Sequence, residues 1–214
     1  MPLPPSFERY KQARAVLTIA AGDTQLQLVL DAIAASLLPS IEVAPEPDDA
    51  YPELTQAFAK ILESNRKSLA EDQIGLSFVA CQGAIRRTYA QMKAFDEAYG
   101  GTKQPMQTLP FLLENEVEGW PTAQAAIWHA GNYFKHRDDW PADRTKLTKR
   151  EKPTWEAVKK LGVGSGSKTP MLECLIAVCG AGELHDLVPM LGAHIGAWRH
   201  LCANVCRSNL GLPL

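Results

Sequence analysis

Apolar residues return at every third or fourth position along almost the whole chain, and nowhere do they alternate credibly with polar ones over a strand's length. A period near 3.6 gathers them on one face of a helix, whereas a strand needs a period of two. The spacing predicts helices over Phe7–Ala20, Gln25–Leu38, Tyr51–Leu69, Ile74–Tyr99, Thr122–Asp139, Thr154–Leu161, Pro170–Val178 and Leu184–Val205, with a short one over Met106–Glu114. Punctuation agrees. Ala21-Gly22-Asp23-Thr24 separates the first two and offers Asp23 or Thr24 as an N-cap, and Val43–Asp49 is an acidic, proline-bearing loop. Gly100-Gly101 ends the fourth helix, Pro121 and Pro141 bracket the fifth, and Pro189 is expected to kink or split the last. The fold class that follows is all-α, a multi-helix bundle. At 214 residues the chain is expected to form a single domain, 1–214, with a charged, flexible connection at about 141–168 that contains the Gly162–Ser167 run.

A net charge of -2 argues against indiscriminate nucleic-acid binding and leaves room for a local basic patch. No apolar run approaches the ~18–20 residues that span a bilayer. Met1–Pro5 lacks the basic start and apolar stretch of a signal peptide. The expectation is a cytoplasmic protein with no membrane contact. Five cysteines, an odd number, point to free thiols. Cys174, Cys179, Cys202 and Cys206 lie near His194 and His200, but their spacings are not those of zinc ribbons and their neighbours are apolar. They read as core residues. With no phosphate-cradling loop and no dinucleotide fingerprint, neither a metal nor a cofactor is expected.

The densest chemistry lies between Gly131 and Trp140. At 100° per residue, Ala123, Ala126, Ile127, Ala130 and Phe134 form the core-facing stripe of the fifth helix. His129, Asn132, Tyr133, His136 and Trp140 share the other side, as a polar ridge about three turns long. An imidazole ordinarily titrates near ~6.5, which suits His136 to general acid or base work. Asn132 can orient it, Lys135 and Arg137 can neutralise phosphate charge, and Tyr133 and Trp140 can stack on bases. From spacing alone, a solvated helix end explains the ridge more simply: Lys and His would offset the helix dipole and Trp140 would cover a loop.

Asn132-Tyr133-Phe134-Lys135-His136 on a helix of an α-bundle resembles the motif of HEPN-domain proteins, in which an Arg, a short spacer and a His follow one another, often with a polar residue directly after the Arg. Asn132 and His136 match that polar residue and the terminal His. The resemblance implies a helical bundle, usually a homodimer, whose paired motif faces form a metal-independent RNA-cleaving site, in many members as a toxin or in defence against phage. The family's Arg belongs at 129, 130 or 131, where this chain has His129, Ala130 and Gly131. Either His129 replaces the cation or the chain is a non-catalytic relative. Installing Arg at Gly131 would restore the family's spacing.

Between Arg144 and Lys160 stand seven cations, Arg144, Lys146, Lys149, Arg150, Lys152, Lys159 and Lys160, opposed within that span by Glu151 and Glu156 alone. Such a segment beside the ridge can gather phosphates, and a plain solvated surface loop accounts for it as well. Two readings follow. In the first, the protein binds or cleaves RNA, with His136 as acid/base, Asn132 positioning it, and His129 or Lys135 stabilising charge. Tyr133, Arg137, Trp140, Arg144, Lys146, Lys149 and Arg150 would hold the nucleic acid, and a toxin setting would add an antitoxin-like partner. In the second, it is a non-catalytic helical interaction protein.

Overall fold

The computed structural model describes residues 5–37, 52–99, 121–164 and 166–210. Helix holds 81% of them, and among the described residues there is no strand. The described residues form seven α-helices, α1 Pro5–Ala20, α2 Thr24–Leu37, α3 Pro52–Tyr99, α4 Ala123–His136, α5 Lys152–Lys160, α6 Pro170–Cys179 and α7 Leu184–Asn209, with a 3-10 turn at Arg144–Lys146. The expected acidic loop at Val43–Asp49 and short helix at Met106–Glu114 lie outside the described residues.

One boundary differs from expectation in a way that matters. The two helices predicted either side of residues 70–73 are a single helix of 48 residues. Ala70-Glu71-Asp72-Gln73 contains neither proline nor glycine, so nothing stops the backbone ladder there. This long helix is the spine against which α4 and α7 pack. Gly75 and Gly131 set the crossing of α3 and α4: a Cβ at Gly75 would lie 2.1 Å from the Phe134 ring, and one at Gly131 would lie 3.1 Å from the Phe78 carbonyl oxygen. On the predicted stripe Ala126, Ile127 and Ala130 are buried, while Ala123 and Phe134 are half-buried.

Asp23 is the N-cap of α2, accepting the Leu26 N–H at 3.0 Å. Pro189 lies inside α7 without splitting it. Of the four cysteines expected in the core, Cys174, Cys202 and Cys206 are buried and Cys179 packs half-buried against it; Cys81 is buried too, and burial pushes the Cys206 thiol up to about 11. The stretch Phe7–Leu37 meets the length and apolarity of a membrane span, with mean hydropathy 1.2. The chain breaks it at 21–23, and Val16, Ile19, Leu26, Leu30 and Leu37 from it are buried in the core.

The connection expected to be charged and flexible is charged on its outer side only. Leu147, Trp155, Val158, Leu161 and Val163 are all buried. Gly162, at φ 100°, ends α5, and the Val163 N–H reaches back to the Val158 carbonyl at 3.2 Å, the pattern of a Schellman stop. This segment folds back onto α4 and covers half of the ridge.

Candidate functional site

Residues 139–154 wrap around the end of α4 and leave a cleft of about 460 Å³. Asn132 and His136, one turn apart, form the α4 wall, and Thr148, Arg150, Glu151 and Thr154 form the facing wall. His136 is exposed, with its Nδ1 4.0 Å from the Asp139 carboxylate. His129, one turn further back, is half-buried with Nδ1 3.2 Å from the Thr154 hydroxyl. Burial pushes its imidazole below the ordinary range, which favours the neutral ring. Glu151 caps the turn before α5: its carboxylate accepts the Thr148 N–H at 2.7 Å. That backbone bond, seconded by the Thr148 hydroxyl, holds it below the usual carboxylate range, so it stays ionised at neutral pH.

Asn132 does not orient His136. Its Oδ1 accepts from Gln82 Nε2 at 2.7 Å, and the same amide also donates to the Trp128 carbonyl at 3.2 Å. Gln82 is 2% exposed and lies in register with the core residues Phe78 and Ile85 on α3. The spacing 78, 82, 85 puts a polar side chain in an apolar stripe, the sequence signal by which Gln82 can be found. Asn132 is therefore held in one orientation from behind, with its amide nitrogen left as a donor for the cleft.

The other predicted residues disperse. Lys135 donates to Gln82 Oε1 beside α3, away from the cleft. Burial, followed by the nearby Arg86 charge, pushes its ammonium down. Tyr133 and Trp140 are buried at 6% and 8% exposure, so neither offers a free face for a base. They meet edge-on at 5.4 Å, and Tyr133 stacks on Trp155 at 6.5 Å. The ridge thus keeps its polar half open and loses its aromatic half to the fold. Arg137 and Arg144 turn into a second pocket on the far side of the turn. Lys146 and Lys149 are exposed and line neither. Of the basic segment, Arg150 alone lines the cleft with His136 and Asn132.

Gly131 faces α3 rather than the cleft, and Ala130 is fully buried. Of the three positions where the motif cation belongs, only His129 lies on the cleft side. Among the described residues no group of three or more His, Cys, Asp or Glu side chains gathers as metal ligands do. The chain matches no family model, no curated protein and no solved structure.

Proposed function

We propose that this is a HEPN-like RNA-binding protein whose cleft cleaves the RNA backbone without a metal. The observation that carries the reading is the meeting of His136, Asn132 and Arg150 around one cleft. His136 is the solvent-facing acid/base, Asn132 is a fixed donor, and Arg150 supplies a cation from the connection where the motif position itself has none. In this mechanism the 2′-hydroxyl attacks the adjacent phosphorus and gives its proton to His136. The bond from phosphorus to the 5′ oxygen breaks, and that oxygen takes a proton from the second copy's cleft or from water. Proton transfer and charge stabilisation are all the step requires. Arg150 is suited to the developing phosphorane charge through its two-pronged donor face.

The reading includes a homodimer in the cytoplasm and, in a toxin or phage-defence setting, an antitoxin-like protein partner. Tyr133 and Trp140 give no argument for the dimer, because the chain covers them itself. What supports it now is the outer row of α7, where Met190, Ala193, Ala197 and Leu201 are exposed at helical spacing. A non-catalytic interaction role draws support from α1 and α2, whose Leu17 and Leu28 stand 61% and 66% exposed.

The test of RNA recognition is fluorescence anisotropy with a 2′-O-methyl oligoribonucleotide, which binds without being cut. Arg150→Met is expected to weaken binding about tenfold and to lower the slope of log affinity against log salt by about one, as loss of a single phosphate contact does. Equal affinity and slope in wild type and Arg150→Met would remove Arg150 from the site.

A further inference from the structure

On the far side of the turn 137–140 from His136 lies a second pocket of about 460 Å³, between α3, the turn itself and the residues leading into α6. Its walls carry Lys67, Arg137, Arg144 and Lys168, together with the carboxylates of Glu71, Asp72 and Asp138. Counted by side-chain type the charges nearly balance, but the carboxylates are already engaged. Glu71, 6% exposed, accepts the Met171 and Leu172 N–H groups at 2.8 and 2.9 Å. Its charge therefore faces the positive end of α6 and serves as that helix's cap, delivered from α3. Arg137 pairs with Asp72 at 3.2 Å and Asp138 at 3.8 Å.

Lys67 pairs with Glu63 at 2.6 Å, which leaves Arg144 and Lys168, neither of which has a carboxylate partner among the described residues. Arg144 is held as a rigid fork. Its guanidinium lies 5.6 Å from the Trp140 ring and 5.4 Å from the Trp155 ring, and Nη1 donates to the Pro141 carbonyl at 3.1 Å. An arginine fixed on two indoles, half-buried and without a counterion, has lost its rotamer freedom in advance and has donors still unused. Tyr133, Ser68 and Thr169 line the same space. The volume falls within the range of sites for small ligands, ~300–1,000 Å³.

We propose that this pocket binds a phosphate group, with Arg144 as its principal ligand and Lys168 as the second. No lining residue is shared between this pocket and the cleft of His136. The same chemistry arrives either as a terminal phosphomonoester or as a backbone phosphodiester.

The experiment is isothermal titration of the full chain with inorganic phosphate, with a 5′-phosphorylated RNA dinucleotide and with its unphosphorylated counterpart. Saturable binding of phosphate is expected, weakened about tenfold in Arg144→Met by loss of a charge-assisted fork. Lys168→Ala is expected to weaken it by about threefold, in line with a more exposed contact. Lys168 is exposed and its side chain makes no bond among the described residues, so its variant tests the site even where Arg144→Met disturbs the tryptophans. Preference for the 5′-phosphorylated dinucleotide identifies a terminal phosphate, and equal binding of both identifies a backbone diester; each supports the site. No saturable binding by wild type, or binding that both Arg144→Met and Lys168→Ala leave unchanged, overturns it.

Discussion

Replacing Gly131 with arginine is expected to unfold the protein rather than arm it. The substitution restores the family's motif spacing on paper, yet position 131 lies where α4 crosses α3. A Cβ there already comes within 3.1 Å of the Phe78 carbonyl oxygen and 3.5 Å of the Gln82 Cβ. The remaining side chain has no path except into the helix interface, carrying an unpartnered charge with it. Overpacking of that kind costs about 1–3 kcal/mol, and burying a charge adds several more, so about 3–5 kcal/mol is expected from a typical total of ~5–15. Urea unfolding of Gly131→Arg should show a midpoint far below wild type, or the variant should not be recovered folded. A wild-type midpoint would mean that the two helices do not cross at this glycine.

A similar loss is expected on changing Arg199 to methionine, for a different reason. Arg199, 4% exposed on α7, donates to the Ile19 carbonyl at 3.1 Å and the Thr18 carbonyl at 3.3 Å, which belong to the last turn of α1. It also lies 3.7 Å from the Asp23 carboxylate. Burial alone would raise the Asp23 carboxyl, but Arg87, the Leu26 N–H and Arg199 outweigh it and hold it below the ordinary range. One guanidinium thus satisfies the orphan carbonyls ending α1 and half of the charge starting α2. Methionine fills similar length but donates nothing. Because Arg87 still faces Asp23, about 3 kcal/mol is expected, toward the low end for breaking a buried pair. In a chain of this size that is about 6–12 °C in Tm by calorimetry. A shift under about 1 °C would show that water replaces the guanidinium without loss.

The helical period and the proline and glycine punctuation are enough to place most helices within a few residues, because capping and chain breaking are local. The exception, the continuous α3, follows from reading Ala70-Glu71-Asp72-Gln73 as a break when no residue there breaks a helix. Angular projection correctly groups His129, Asn132 and His136 on one side of α4. It cannot reveal that Tyr133 and Trp140, on that same side, are buried, since Trp155 and Arg144 reach them only once residues 144–163 fold back. For the same reason a run of seven cations reads as one patch, while the fold sends Arg150 to the cleft, Arg144 to the second pocket and Lys146 and Lys149 to solvent. The close crossing at Gly131 is legible in the sequence, since a glycine inside a helix points to close backbone approach.

The central claim, that His136 cuts RNA through the adjacent 2′-hydroxyl, is tested most directly by following a single-stranded RNA and its 2′-O-methyl counterpart with EDTA present, in wild type and His136→Ala. Wild type is expected to cleave the RNA, leave the 2′-O-methyl strand intact, and produce 2′,3′-cyclic phosphate ends. His136→Ala should lose ~10²–10⁴-fold in rate, as removal of a general acid/base does. An RNA left intact by wild type, or cut equally fast by His136→Ala, would contradict the account.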